Sequence, residues 1–329
     1  MNLRQKQTLY HELAQFFHAG IGFSQAVESL LAETGRGAVR RALETLRDAV
    51  RAGADVPAAF ARLRPAVGEM ELAMLSAADR SGRLEEALNY LSTYFQQISE
   101  VRAGIAKQVL WPVVQLHLGV FLLALPVLLA ANGGTGAYLR QTVGFLLVLY
   151  LVVAVVLGLA LGLLRLGGRS AAMDQVLNAL PLLGRVRRNL GLGRFCAVYE
   201  MQLSAGVNVM DALQAAARAS RGAALQAAVA RALPAVRAGE QVGPQLAASK
   251  APLPSPLLRA LRLGEETGRL DVELRNWAAY YQKAAVGGID ALSRWLPRLI
   301  YLLIAGYLGY RIVATYAGVL DSYRGLMED

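Results

Sequence analysis

Between Val143 and Leu164 the chain reads VGFLLVLYLVVAVVLGLALGLL, with no charge and no strongly polar residue. About 20 such residues are enough for a helix to cross a bilayer, so the run is read as a transmembrane helix. Two other stretches share this character. VLWPVVQLHLGVFLLALPVLLAA covers Val109–Ala131, and LPRLIYLLIAGYLGYRIVATYAGVL covers Leu296–Leu320. The last carries Arg298 near one end and Arg311 inside. Arg298 can extend its charged head to the near interface, and Arg311 either reaches the far one or lies against another helix. The composition agrees: 55% of residues are apolar and 18% charged, against about 25% charged in ordinary soluble proteins.

The charges set a direction. Residues 1–108 hold 13 Lys/Arg and residues 165–294 hold 17, whereas the loop 132–142 has Arg140 alone and the tail 321–329 has Arg324 alone. The excess of Lys and Arg on cytoplasmic segments places both long segments inside and the loop and tail outside. Trp111 and Trp295 then fall at the cytoplasmic interface, where indole rings are favoured. Residues 1–15 lack an apolar core, so internal spans are expected to do the targeting. A single cysteine, Cys196, excludes an internal disulfide and fits a reducing compartment. The net charge of +10 is thus largely topological, with Arg185, Arg187 and Arg188 placed either on a solvated surface or against anionic lipid. No basic groove interleaved with aromatics suggests nucleic-acid binding.

Both long segments read as helical. Val39, Leu43, Leu46 and Val50 mark one helical face, and Leu84, Leu88, Leu91, Phe95 and Ile98 mark another. The second segment repeats the first at a constant offset of 186 residues. HAGIGFSQAV (His18–Val27) answers to SAGVNVMDAL (Ser204–Leu213), VRAG at Val50–Gly53 to VRAG at Val236–Gly239, and SGRL at Ser81–Leu84 to TGRL at Thr267–Leu270. A register held over some eighty residues indicates a duplicated unit rather than a short solenoid repeat. Pro112 and Pro297 follow the two repeats at nearly the same place, so the first and third spans are read as copies. The unpaired middle span returns the chain to the cytoplasm.

With these paired motifs the sequence resembles the type II secretion system F family, which includes the inner-membrane platform proteins of type IV pili and type II secretion systems. The residues carrying the resemblance are LGEETGRL (Leu263–Leu270), AADRSGRL (Ala77–Leu84), the turns Ala19–Ile21 and Ala205–Val207, and Pro112 and Pro297. The first repeat departs from the motif, with Ala78 and Asp79 where the family has Gly-Glu. The resemblance implies a non-catalytic platform in the inner membrane, coupling a hexameric assembly ATPase to the insertion of pilins or pseudopilins. It also implies contact with other inner-membrane assembly proteins.

The residues suggest no catalysis. No G-x-x-x-x-G-K-[ST] loop is present, and HELAQ (His11–Gln15) has Gln15 where a zinc-protease helix needs its second histidine. His11 and His18 lie seven apart without a third ligand, so no metal is expected, and no cofactor. Cys196 reads as a small core residue. Gln115 and His117 lie inside the first span and are read as interhelical hydrogen-bonding groups or as pilin contacts. Gly158 and Gly162 form a small-xxx-small pair suited to close helix packing. In the GRL turns, Ser81 or Thr267 is expected to cap the following helix and glycine to permit the turn. Asp79, Arg83, Glu265, Glu266 and Arg269 form either an ion pair across the turn within each domain or a charged docking surface.

The expectation is therefore an all-α membrane protein with two duplicated cytoplasmic helical-bundle domains and three transmembrane helices. Its order is a cytoplasmic domain (1–108), a span (109–131), a periplasmic loop (132–142), a span (143–164), a second cytoplasmic domain (165–294), a span (295–320) and a periplasmic tail (321–329). A homo-oligomer is expected, because a fibre base presents several subunits at once. The rival readings are a transporter or channel component and a passive membrane scaffold. Three spans make a poor pore per chain, and the unpaired middle span leaves no inverted-repeat core.

Overall fold

The computed structural model describes residues 1–123, 135–166 and 183–328, and every regular element among them is an α-helix. Residues 124–131 of the expected first span, 132–134 of the expected loop and 167–182 lie outside the described residues.

Six helices form the first repeat: α1 (Leu3–His18), α2 (Phe23–Glu33), α3 (Ala38–Arg51), α4 (Val56–Ala61), α5 (Glu69–Ser81) and α6 (Leu84–Leu123). After α7 (Thr135–Leu166) the series returns as α8 (Leu183–Ser204), α9 (Val209–Ser220), α10 (Ala223–Arg237), α11 (Val242–Ala248), α12 (Ser255–Thr267) and α13 (Leu270–Glu328). The backbone repeats in detail. Positive φ angles occur at Gly20, Gly53 and Gly82, and again at Gly206, Gly239 and Gly268.

Local chemistry accounts for the helix ends. The Asn2 side chain accepts from the Gln5 amide while Gln5 reaches back to the Asn2 amide, a reciprocal capping box that opens α1. Asp55 caps the Ala58 amide of α4, with Pro57 inside the first turn, where a missing N–H costs nothing. The apolar stripes then choose the buried faces. In α3, Leu43 and Leu46 are fully buried and Val39 and Val50 pack partly against the core. In α6, Leu88, Leu91 and Phe95 are buried. In α13, Leu274 and Tyr281 are buried at the positions equivalent to Leu88 and Phe95.

The chain divides into two compact units. The first contains residues 1–101 and 161–289. Its hydrophobic core is continuous, drawing on Leu13, Leu43, Phe60 and Leu75 of the first repeat and on Phe195, Leu213, Leu246 and Leu261 of the second. The sequence reading treats the two repeats as separate domains, but α5 packs directly on α8 and α9, so their helices share one core.

The second unit contains residues 102–160 and 290–329. It includes a window in α7, Tyr138–Val155, with mean hydropathy 1.8. This helix is long and apolar enough to cross a membrane. A shorter apolar stretch, Leu110–Leu122, lies in α6, which continues as helix through Pro112. Large apolar side chains such as Leu147, Val148 and Leu151 are exposed on α7.

Candidate functional site

The GRL turns are built by the helices that precede them. α5 ends at Gly82 with φ 70°, and α12 ends at Gly268 with φ 67°. The Arg83 amide donates to the Ala78 carbonyl and the Arg269 amide to the Gly264 carbonyl, each at 2.9 Å. This closure satisfies a carbonyl that the helix end would leave unpaired, and its left-handed residue favours glycine. Ser81 and Thr267 do not cap the following helix as expected. Ser81 Oγ donates back to the Ala77 carbonyl at 3.0 Å, and Thr267 Oγ1 to the Leu263 carbonyl at 2.8 Å. Each hydroxyl still lies within the helix that ends there, so a carbonyl of its own helix is the nearer partner.

The five charged candidates do not converge. Arg83 pairs with Glu86 through Nε at 3.0 Å, and its guanidinium lies 3.9 Å from Glu200 in the second repeat. The hydrogen bond to Glu86 raises the Arg83 pKa, and the same bond lowers that of Glu86. Glu266 pairs with Arg262 one turn earlier, at 2.8 Å. Arg269 is exposed and makes no side-chain hydrogen bond or ion pair among the described residues. Glu265 caps α11, accepting from the Val242 amide at 2.7 Å and the Gly243 amide at 2.9 Å.

Asp79, the counterpart of Glu265, has no such task. The matching residues in the first repeat are Val56 and Pro57, and proline lacks an N–H. Asp55 takes over the cap through Ala58. Burial, then the nearby Asp55 carboxylate, raises the Asp79 pKa. The first-repeat departure from Gly-Glu thus accompanies a different way of capping α4.

A seam between the repeats carries polar contacts that the motifs did not indicate. Gln202 on α8 donates to the Ala73 carbonyl of α5 at 2.8 Å and accepts from Arg80 at 3.0 Å. Glu200 lies 3.9 Å from Arg83 across the seam and accepts from Arg275 of its own repeat at 2.7 Å, and Gln282 donates to Gln97 at 2.9 Å. Between these contacts lies a mostly apolar cavity of about 230 Å³, lined by Met74, Tyr90, Ala197, Met201 and Ala278 among others. A carbon added at Gly68 would come within 2.7 Å of the Arg221 guanidinium, so glycine there admits an arginine from the second repeat. One sequence signal was available. At equivalent positions of α1 and α8, Glu12 is answered by Val198, and at the ends of α2 and α9, Glu33 by Ala219. Val198 and Ala219 are buried, while Glu33 is exposed.

Within the second unit, His117 joins two helices. Its Nδ1 lies 2.7 Å from the Val113 carbonyl, and its Nε2 faces the Tyr150 hydroxyl of α7. A carbonyl only accepts, so Nδ1 carries a proton and donates to Val113. Gln115 Oε1 is buried without a partner among the described residues. No described atom comes within 4 Å of a carbon added at Gly158 or Gly162, so this pair makes no close helix contact among the described residues.

The family described as type II secretion system (T2SS), protein F, matches residues 9–130 and again residues 195–317. The chain belongs to the type II secretion system protein F family. The two matches begin 186 residues apart and cover both series of helices. Among curated relatives, the type IV pilus assembly protein PilC of Pseudomonas aeruginosa is 23% identical, covering 94% of this chain and 87% of its own length. PilC of Myxococcus xanthus is 20% identical, with 94% of this chain and 78% of the relative covered. The type II secretion system protein F of Aeromonas hydrophila is 23% identical, covering 94% and 84%. Relatives named for the pilus and for the secretion system are thus similar to this chain over nearly its whole length.

Proposed function

We propose that this protein is a non-catalytic platform of the inner membrane, coupling a cytoplasmic assembly ATPase to the insertion of pilin or pseudopilin subunits into a growing fibre. The twofold family match over both helical repeats, with a helix between them long and apolar enough to cross a membrane, carries this reading. The relatives' names supply the two settings, pilus assembly and type II secretion.

In this reading the chain has two duplicated cytoplasmic domains and three spans, divided at 1–108, 109–131, 132–142, 143–164, 165–294, 295–320 and 321–329. Its N-terminus is cytoplasmic and its C-terminus periplasmic, as the Lys/Arg distribution favours. It works as a homo-oligomer beside other inner-membrane assembly proteins, with lipid around its spans. Gln115 and His117 serve packing within the membrane or meet the pilin, and Gly158 and Gly162 are offered to a neighbouring helix. Of the charged candidates, Arg269 is the best placed to meet an ATPase, being exposed and unpaired among the described residues. Arg83 and Glu266 are held in ion pairs and Glu265 in the cap of α11, and Asp79 lies beside Asp55.

The test is co-purification of the detergent-solubilised chain with the assembly ATPase encoded beside it, with nucleotide turnover measured with and without the chain. Binding with altered turnover is the expected result. A folded chain that neither binds nor alters turnover overturns the reading.

A further inference from the structure

The seam between the repeats is not symmetrical. It joins the α5–α6 face of the first repeat to the α8–α9 face of the second. Each of those faces has a counterpart that the seam leaves uncovered. The counterpart of the α5–α6 face lies on α12–α13, and that of the α8–α9 face on α1–α2.

The equivalent residues record the difference. Ala77 and Tyr94 are buried in the first repeat, yet their counterparts Leu263 and Tyr280 are 54% and 59% exposed. Ala73, whose carbonyl receives Gln202, is answered by exposed Arg259. On the opposite side, Ala197 and Met201 are buried, and their counterparts His11 and Gln15 are exposed. Gln202 itself is answered by Phe16. A contact that uses two different surfaces of like units does not close on itself, and it can recur between chains as a ring or a filament.

We infer that the open α12–α13 face receives the α1–α2 face of a second copy of this chain, repeating between chains the contact made inside each one. The charges complement one another. The open α12–α13 face presents Arg259, Arg269 and, at the position of Gln97, Lys283, none with an ion-pair partner among the described residues. The α1–α2 face presents Glu12 and Glu33, likewise without such a partner. If the internal geometry recurs, Arg259 falls opposite Phe16, and Glu12 lies one helical turn away on the same face. Burial and the neighbouring Glu33 carboxylate raise the Glu12 pKa, a strain that an incoming arginine relieves. Leu263 and Tyr280 supply apolar area for the contact.

This inference deepens the oligomer element of the reading above and does not depend on the ATPase. The experiment uses full-length chains co-expressed in one membrane. One chain carries Phe16→Cys and the other Arg259→Cys, with buried Cys196 left in place. Mild oxidation is expected to trap a disulfide-linked pair only when both variants are present. Absence of that pair from folded, membrane-inserted chains overturns the inference. Arg259→Cys chains linking to one another also overturn it, because that is a symmetrical contact.

Phe16 packs partly against the core, so a second measurement leaves it untouched. Self-association in detergent is expected to weaken about fivefold on Arg259→Glu and to recover when the partner chain carries Glu12→Arg. Unchanged association in Arg259→Glu, or no recovery, overturns the inference. Self-association lost while the ATPase still binds would remove this interface and leave the platform reading standing.

Discussion

Lys6 Nζ lies 2.7 Å from Glu71 Oε1 inside the first repeat, and the residues at the same two positions of the second repeat are Leu192 and Leu257. The substitution extends to their neighbours. Tyr10 donates to Glu71 Oε1 at 2.6 Å, and its counterpart is Cys196. Lys6 sits 4.7 Å above the ring of Phe95, whose counterpart is Tyr281. One architecture therefore holds a buried ion pair at 8% and 4% exposure in one repeat and an apolar cluster in the other.

Breaking that pair on one side is expected to be costly. Glu71→Ala strands the Lys6 ammonium in the core and frees the Gly68 amide that Glu71 Oε2 receives at 2.7 Å. The loss should be about 3–5 kcal/mol. Replacing the network together, with Lys6→Leu, Tyr10→Phe and Glu71→Leu, should recover most of it and return stability to within about 2 kcal/mol of the parent. Denaturant unfolding of the three chains in the same detergent compares them.

Gly268 closes α12 in the left-handed region. Gly268→Ala should cost about 1 kcal/mol or slightly more through backbone strain alone. No described atom comes within 4 Å of the added carbon, so crowding contributes nothing. The equivalent Gly82→Ala should cost a similar amount. Gly264→Ala one turn earlier should cost more, because its new carbon would meet the Leu270 Cα at 2.8 Å. Thermal midpoints of the three variants provide the ranking.

Asp79 predicts a particular pH dependence. Burial and Asp55 hold its folded pKa above the ordinary 3.8, so between those two values the native state binds more protons than the unfolded chain. Stability from this group falls as pH rises through that window and stays reduced above it. Asp79→Asn should thus gain a few tenths of a kcal/mol at pH 7, where most of the side chain is screened by solvent. The gain should vanish below the unfolded value, where both states are protonated. Unfolding curves at pH 7 and pH 3.5 test the sign.

At the seam, Gln202→Ala removes the donor to the Ala73 carbonyl and the acceptor for Arg80. The Ala73 carbonyl keeps its bond within α5, so the loss of the two seam hydrogen bonds should cost about 1–2 kcal/mol. The expected signature is faster protease cleavage within the first unit with helix content preserved. The control is Arg262→Ala, whose exposed pair with Glu266 should contribute under 1 kcal/mol.

Much of this fold was legible in one dimension. Glycine and capping residues act within a turn or two, and apolar periodicity marks which face of each helix must leave water. The offset of 186 therefore foretold the recurrence of α1–α6 as α8–α13, down to the paired left-handed glycines. Leu88 and Leu91 were placed in the core by spacing alone. The roles of Ser81 and Thr267 were misjudged because a hydroxyl at a helix boundary has acceptors on both sides, and only the backbone geometry selects one.

The seam and part of the fate of the charged candidates belonged to tertiary structure. Arg83 and Arg269 occupy matching positions in matching turns, yet Arg83 pairs with Glu86 and approaches Glu200 while Arg269 faces solvent. Glu86 is answered by Val272, so Arg269 has no acid three residues on, and only the approach of Arg83 to Glu200 depends on the repeats packing through unlike faces. Lys6 and Glu71, 65 residues apart, are unremarkable singly. By itself the sequence determined the helices, their repetition and the apolar run in α7 that is long enough to cross a membrane, because local backbone chemistry and hydrophobic periodicity act at short range. Which side chains meet across the repeats was decided by packing, because the energies of ion pairs and buried polar groups depend on what the folded chain places beside them.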